Sequence, residues 1–279
     1  LEKGENSIII KLPENTILWD EFNPHIYQLK IQIKNQEENQ TILNYGIRNF
    51  ATKNNHFEIN NQRIFLRGKH DGMIFPKTGY APTDVESWLK VMKTAKEYGI
   101  NHYRFHTCCP PKAAFEAADI LGIYMEPELP FWGTIQGKDE EGFNEAEQNY
   151  LISEGFRILE EFGNHPSFCM MSLGNELWGN QDRLEEILAY YKAYDSRHLY
   201  TSGSNNFQFW PRTSPSEDFF VGVRFDKDSL FRGSYAQCDA PLGFVQTQEP
   251  NTTHDYDKFW NNEDSNSSDN ATEQEIEIQ

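Results

Sequence analysis

Between about residue 65 and residue 203, segments with the composition of buried strands alternate with segments of helical periodicity. Such alternation predicts a parallel sheet, because each helix returns the chain to the same starting edge. Two folds fit, an open doubly wound sheet and a closed (β/α)8 barrel. No GxGxxG motif follows the first strand, so nothing is present to hold a pyrophosphate, and the barrel is favoured.

Capping and breaking residues set the expected bounds of these elements. Thr83 and Glu86 have the capping-box spacing ahead of a helix that Gly99 ends, and Pro111 opens another that Gly122 ends. The five predicted barrel strands are RIFLRG, INHYRFH, IYMEPELP, FCMMSLGNE and HLYTSG, with a sixth expected at DFFVGVRF. An α/β barrel of this type needs eight strands, so we expect it to be incomplete at its C-terminal end.

Three regions are predicted along the chain. Residues 1–57 read as the C-terminal part of an immunoglobulin-like β-sandwich, with strands at SIIIKL, HIYQLKIQI, TILNYGIRNF and HFEI and a hairpin turn at Asn60-Asn61. Residues 58–258 are predicted to form the truncated barrel domain. Residues 259–279 are acidic and rich in Asn and Ser, so we expect a disordered tail. The start LEKGENS has no Met and no signal-peptide pattern, which indicates a fragment.

Charge and composition exclude some partners. The 279 residues hold 25 Lys and Arg against 43 Asp and Glu, a net charge of −18, whereas nucleic-acid binding needs a basic face. No segment approaches the roughly 20 apolar residues of a membrane span. The adjacent Cys108 and Cys109 lack a metal-like CxxC spacing and are interpreted as ordinary thiols. Nothing in the sequence indicates an oligomeric state.

Chemically distinctive side chains stand where the predicted strands end, which in a barrel is one common mouth. They are Arg104 and His106 on the second strand, Glu128 and Trp132 after the third, Asn175, Glu176 and Trp178 after the fourth, and Ser202, Ser204, Asn205 and Trp210 after the fifth. Such a set suits a sugar. Indole rings stack on its C–H faces, planar polar groups bind its hydroxyls, and a carboxylic acid protonates the departing oxygen.

Structural roles are open for most of these residues. Arg104 could be the ion-pair partner of Glu128, His106 a core histidine, and the tryptophans loop packing. Glu176 differs, because a glutamate at the end of the apolar run FCMMSLGNE loses hydration unless it is paired or used.

A set of motifs resembles glycoside hydrolase family 2, which includes β-galactosidases, β-glucuronidases and β-mannosidases. The resemblance covers roughly residues 8–258, and its motifs are FEINNQRIFLRG, TGYAPTDVESW, INHYRFHTCCPPKAAFEAADILGIYME, GNHPSFCMMSLGNE and RGSYAQCDAPLG. The resemblance implies a retaining exo-β-glycosidase without cofactor or metal, acting on a β-glycoside at the end of an oligo- or polysaccharide. A periplasmic or secreted location would suit such an enzyme.

By position, the resemblance makes Glu176 the general acid/base and Asn175 the residue that binds the sugar's 2-hydroxyl. It makes Arg104 and His106 subsite residues and Glu128 the strand-three carboxylate. The implied reaction is a double displacement in which Glu176 protonates the leaving oxygen and later deprotonates water.

The family's nucleophile is a glutamate at the end of the seventh strand, and this sequence departs from that pattern. Glu275 lies near the expected position, yet no apolar strand and no His precede it. We therefore predict that the chain is poorly active or inactive as it stands. Arg104 or Arg224 is a candidate for reading a uronic-acid carboxylate, but neither fixes which sugar is cleaved.

Two alternatives from other classes remain. The first is a sugar-binding pseudoenzyme that keeps the mouth without the chemistry. The second is a metal-dependent barrel hydrolase that uses His70, Asp71, His102 and His106, of which His102 and His106 share one strand face. A serine hydrolase would need a GxSxG elbow, which the sequence lacks.

Overall fold

The computed structural model describes residues 9–32, 40–53, 56–204, 214–219 and 221. Its strands are β1 (Tyr27–Gln32), β2 (Gln40–Tyr45), β3 (Phe50–Lys53), β4 (His56–Ile59), β5 (Gln62–Ile64), β6 (Gly68–Asp71), β7 (His102–Phe105), β8 (Tyr124–Glu126), β9 (Thr134–Ile135), β10 (Met170–Ser172), β11 (Trp178–Gly179) and β12 (Leu199–Thr201). Its helices are α1 (Val85–Glu97), α2 (Lys112–Leu121), α3 (Glu145–Phe162) and α4 (Gln181–Tyr194). Of the helices in these ranges, none has the length and apolar character to cross a bilayer.

Five parallel strands form a continuous wall in chain order. β6 pairs with β7, β7 with β8, and β10 with β12, all in parallel register. Parallel bridges at Met125–Phe168 and Glu128–Ser172 join β8 to β10. A helix stands between each pair of successive strands, and the order never reverses, as it would at the switch point of a doubly wound sheet. The wall is therefore that of a TIM-type barrel, as predicted.

The helices cover the outer face of this wall. Alternate strand residues such as Tyr103, Phe105, Met125 and Met171 are buried in one cluster with helix residues such as Trp88. The helix bounds follow the sequence closely, with Gly122 in the left-handed conformation after α2. The predicted N-cap of α1 was wrong. Asp84 caps this helix instead of Thr83, and its carboxylate accepts a hydrogen bond from the Ser87 N–H. Asp is as good an N-cap as Thr, so the spacing alone could not choose.

A small antiparallel sheet closes the amino end of the barrel. β3 pairs with β4 and β4 with β5, around a turn in which Asn60 and Asn61 both have positive φ, as predicted. Its apolar residues share a buried cluster with the first residues of three barrel strands; the members are Trp19, Phe50, Ile59, Ile64, Tyr124, Cys169, Met170, Leu199 and Phe219.

The position of the first barrel strand was predicted wrongly. The segment RIFLRG supplies Arg63 and Ile64 to β5 of the closing sheet and only its last residue, Gly68, to the barrel. The first barrel strand is β6, with the sequence GKHD. A polar four-residue strand gives no apolar signal, whereas RIFL does, so the sequence pattern favoured the neighbouring segment.

The remaining N-terminal strands form a separate pair. β1 and β2 are antiparallel and join residues 27–32 to residues 40–45. Residues 9–12 of the predicted strand SIIIKL have no strand structure. The immunoglobulin-like sandwich and the boundary after residue 57 stay predictions, and that boundary falls inside β4.

Part of the predicted sixth barrel strand is described. The Asp218 N–H donates to the Tyr200 carbonyl (2.9 Å), and Val221 forms a parallel bridge with Ser204. Both contacts lie beside β12, where a sixth strand belongs. Trp210, Arg224, Glu275 and the predicted tail 259–279 lie outside the described residues.

Candidate active site

The carboxyl ends of the barrel strands bring together a buried polar network. Arg104 lies on β7, Glu128 follows β8, Asn175 follows β10, and Ser204 follows β12. Arg104 Nε donates to Glu128 Oε1 and to Ser204 Oγ, each at 2.8 Å, and Arg104 Nη2 donates to Asn175 Oδ1 at 2.7 Å. Ser204 Oγ donates to the same Glu128 oxygen at 2.7 Å. Four separate strands thus meet at a single guanidinium.

The charge of Arg104 is matched within this network. Glu128 is fully buried and the Arg104 side chain is 12% exposed, so neither charge is hydrated by bulk water. The second Glu128 oxygen accepts from the Thr107 N–H at 2.7 Å. Buried charges persist when they are paired and hydrogen-bonded in this way. Because Glu128 already neutralises the charge of Arg104, Arg104 is a poor candidate for binding a uronic-acid carboxylate.

Asn175 presents a buried donor without a partner. Its Oδ1 accepts from Arg104, which fixes the amide orientation, because only the oxygen can accept from a guanidinium. The opposite atom, Nδ2, is buried and has no hydrogen-bond partner among the described residues. An unsatisfied buried amide is costly, and a ligand oxygen is one way to satisfy it.

Glu176 follows Asn175 directly and adopts an unusual backbone conformation. Its φ is +50°, its side chain is partly exposed, and its N–H donates to the Ser204 carbonyl at 2.7 Å. Met73 (φ +52°) and Thr107 (φ +53°) also have positive φ, and they follow β6 and β7. Non-glycine residues in this region store strain of about 1–3 kcal/mol each. Strain therefore collects at the mouth, as is common at functional sites.

Aromatic rings line one wall of the mouth. His106 meets Trp132 edge to face, with ring centroids 5.1 Å apart, and stacks on His70 at 4.8 Å. Trp132 and Trp178 are 59% and 47% exposed. β9 and β11, two short strands that the sequence did not predict, hold these loops together: the Trp178 N–H donates to the Gly133 carbonyl at 2.9 Å.

Two residues that the sequence suggested as metal ligands, His102 and Asp71, have other partners in the structure. His102 faces inward as expected, but its Nε2 lies 3.0 Å from Glu126, while Asp71 pairs with Lys69 and accepts from the Met73 N–H. Within residues 9–32, 40–53, 56–204, 214–219 and 221, no three His, Cys, Asp or Glu side chains are grouped to hold a metal.

The adjacent thiols are held in their protonated form. Burial raises the pKa of Cys108 to about 12, and the nearby Glu128 charge acts in the same direction. Burial also raises the pKa of Cys109. A thiolate is the reactive form of cysteine, so these residues are suited to packing rather than to chemistry.

Gly174 is needed where it stands, immediately before Asn175. Its φ is +145°, and a Cβ there would lie 2.2 Å from the Phe131 carbonyl oxygen, which also accepts from the Asn175 N–H. We expect Gly174→Ala to lower the free energy of unfolding by about 1–3 kcal/mol, because backbone must move. Urea unfolding followed by circular dichroism measures this.

The matched control is Gly79→Ala. Gly79 also has positive φ, at +77°, but nothing lies within 4 Å of the added Cβ. We expect this variant to show only the cost of the backbone conformation. Equal destabilisation by the two substitutions would mean that the close approach at Gly174 does not matter.

Sequence reasoning placed all seven candidate residues at the mouth, and the structure brings Arg104, Glu128 and Asn175 into direct contact. Ser204 was noticed as a strand-end residue, but its role as a shared partner was missed. His70 was considered only as a metal ligand. Its inward position follows from pairing in register with Arg104, which depends on locating β6 correctly.

Comparison with known proteins identifies relatives of the barrel domain. The family model described as "Glycosyl hydrolases family 2, TIM barrel domain" matches residues 50–225. β-Galactosidases from Leuconostoc mesenteroides and Halalkalibacterium halodurans are each 28% identical to the chain, over 183 and 220 residues. These alignments cover 63% and 73% of the chain but 17% and 21% of the two relatives, so the chain spans about a fifth of their length.

Solved structures share the fold. A β-glucuronidase from Parabacteroides merdae has a TM-score of 0.58 at 18% identity, covering 76% of this chain and 27% of its own. A β-galacturonidase from Eisenbergiella tayi has a TM-score of 0.59 at 16% identity, covering 69% of this chain and 34% of its own. At such low identity the similarity establishes the barrel architecture alone.

Proposed function

Because the chain belongs to glycosyl hydrolase family 2, we propose that it carries the acid/base half of a retaining exo-β-glycosidase site. The observation that carries this proposal is the buried network of Arg104, Glu128, Asn175 and Ser204. The network holds the side chain of Asn175, which directly precedes Glu176, and the Nδ2 donor of that side chain has no partner among the described residues. A hydroxyl-rich ligand satisfies that donor and meets a carboxyl group next to it.

In the proposed mechanism, each group of the mouth has one task. Asn175 Nδ2 donates to a sugar hydroxyl, while Arg104 holds the Asn175 amide in place. Trp132 and Trp178 stack against the C–H faces of the sugar. Glu176 protonates the departing glycosidic oxygen and then deprotonates the water that releases the sugar.

The second carboxylate of a retaining mechanism should lie about 5–5.5 Å from Glu176. Among the described strand ends, Glu128 is tied to Arg104, and the position expected for a seventh-strand nucleophile lies outside the described residues. Because no apolar strand and no His precede Glu275 in the sequence, we infer that the chain binds its sugar better than it turns it over. The relatives named β-galactosidase support a neutral hexoside as the first substrate to try.

A panel of p-nitrophenyl β-glycosides (galactoside, glucuronide, mannoside and arabinoside) tests the proposal. We expect at least one to bind, by calorimetry with the matching methyl glycoside, and to be hydrolysed slowly. Binding without any hydrolysis would assign the site to a sugar-binding pseudoenzyme. If no glycoside binds at millimolar concentration, the proposed function is wrong.

A further inference from the structure

A turn at residues 214–218 lies along the edge of β12 that faces away from β10. On this edge the Tyr200 N–H donates to Asp218 Oδ2 at 3.0 Å. Two residues further on, the Ser202 N–H donates to Glu217 Oε1 at 2.6 Å. In a parallel ladder these N–H groups would meet the carbonyls of a neighbouring strand. Two carboxylates of the turn take that place here.

Glu217 joins the two ends of the segment that leaves β12. Its Oε1 also accepts from the Thr201 hydroxyl at 3.0 Å and from the Ser202 hydroxyl at 2.6 Å. Its Oε2 accepts from the Ser214 N–H at 2.8 Å. Each carboxylate oxygen therefore has a backbone N–H donor, one from each end of the segment. Hydrogen bonds to a carboxylate are strong, so this half-buried side chain holds the base of the segment closed.

One glycine separates the residue that Glu217 holds from Ser204. Tyr200 and Ser202 direct their N–H groups to the turn, whereas the Ser204 N–H donates to the Gly174 carbonyl on the β10 side at 2.8 Å. Gly203 makes this change of direction with φ +152°, a conformation that residues with a side chain rarely adopt. Because glycine restrains the backbone least, the position of Ser204 depends on the contact that holds Ser202.

Ser204 in turn holds the backbone of Glu176. The Glu176 N–H donates to the Ser204 carbonyl at 2.7 Å, and Glu176 has φ +50°. A non-glycine residue keeps such a φ only where its surroundings impose it. The Ser204 hydroxyl meanwhile contacts Arg104 and Glu128. Ser204 therefore connects the buried network to the backbone of Glu176.

We propose that Glu217 is a positioning residue for Glu176 and acts through the end of β12. The Glu217 carboxylate fixes Ser202, and Ser204 then presents its carbonyl to the Glu176 N–H. That bond holds the strained backbone that places the Glu176 carboxyl group at the mouth. The consequence for catalysis rests on the proposed function, whereas the effect on the backbone of Glu176 does not.

Amide hydrogen exchange followed by NMR tests the backbone effect without any ligand. In Glu217→Ala, the Glu176 amide should exchange about tenfold faster or more, because the chain at Ser204 opens more readily. The Trp178 amide donates to the Gly133 carbonyl, which Glu217 does not hold, so its rate should change by less than about twofold. Unchanged protection at Glu176, or an equal loss at both amides, would overturn the proposal.

Glu185→Ala is the matched control for this experiment. Glu185 accepts from the Ser216 N–H at 3.2 Å, so it ties the same turn to α4 rather than to β12. This variant should keep the Glu176 amide protected, and an equal loss of protection would contradict a specific role for Glu217. Glu217→Gln keeps one acceptor oxygen and should give an intermediate rate. Melting curves show which variants are folded, and Glu217→Gln decides the question if Glu217→Ala is not.

Turnover tests the consequence for catalysis. With a p-nitrophenyl β-glycoside that the wild type hydrolyses, Glu217→Ala should lower kcat about three- to thirtyfold and change KM by less than about twofold. The dinitrophenyl glycoside of the same sugar should lose less, because its leaving group needs no proton from Glu176. Equal losses with the two leaving groups, or a loss in KM alone, would contradict the positioning role. If no glycoside of the panel binds, the proposed function fails, while exchange of the Glu176 amide still decides whether Glu217 holds that backbone.

Discussion

Glu176→Gln should lower the hydrolysis of a p-nitrophenyl β-glycoside by about 10²- to 10⁴-fold, because an amide neither donates nor accepts the proton that the reaction moves. The dinitrophenyl glycoside of the same sugar should be affected far less in its first step, since that leaving group departs without protonation. Added azide should then speed turnover of the variant, because an anion needs no general base. Initial rates with the two leaving groups measure all three effects.

Glu147→Gln is the matched control, since Glu147 is exposed in the first turn of α3. It should leave the rates unchanged. Equal losses with both leaving groups and no response to azide would remove Glu176 from the acid/base role. That result would point instead to a glutamate that only shapes the mouth.

Removing one partner of the buried Arg104–Glu128 pair should lower the free energy of unfolding by about 3–5 kcal/mol. Glu128→Leu leaves an uncompensated guanidinium and also strands the Thr107 N–H and the Ser204 hydroxyl. Arg104→Leu leaves the carboxylate without its cation. The double variant should lose less than the sum of the two, because it buries no unpaired charge. Urea unfolding of the four proteins gives this cycle.

An exposed pair supplies the comparison. Lys112 and Glu116 lie 3.9 Å apart on α2 with side chains 60% and 37% exposed, so their single substitutions should change stability by about 0.5 kcal/mol or less. Additive losses at Arg104 and Glu128 would mean that the two side chains act independently. The buried network would then be a set of separate hydrogen bonds rather than one charge-matched unit.

Sequence reasoning found the barrel and most of its mouth because both depend on local patterns. The stops at Gly99 and Gly122 located the ends of α1 and α2, and alternation along INHYRFH placed His102 and His106 on one strand face. The structural role of Arg104 as the partner of Glu128 was weighed against a role in binding sugar. In the structure, Arg104 both pairs with Glu128 and orients the Asn175 amide.

Other features could not be predicted because they depend on distant parts of the chain. The polar strand GKHD has no apolar signature, so β6 was missed and the position of His70 with it. The sharing of Ser204 between Arg104 and Glu128 joins residues 76 and 100 positions apart. Positive φ at Thr107 and Glu176 goes against the preference of both residue types, and only tertiary contacts hold it.

The two ends of the barrel differ in the polarity of their residues. At the amino end, Tyr124, Met170 and Leu199 are covered by the hairpin sheet in a buried apolar cluster, whereas two to four residues further along the same strands the chain turns polar. Loops at the open rim can therefore diverge, be exchanged or be redesigned while the sealed base keeps the strands in register. New specificities on this scaffold should arise by altering the rim and leaving the base untouched.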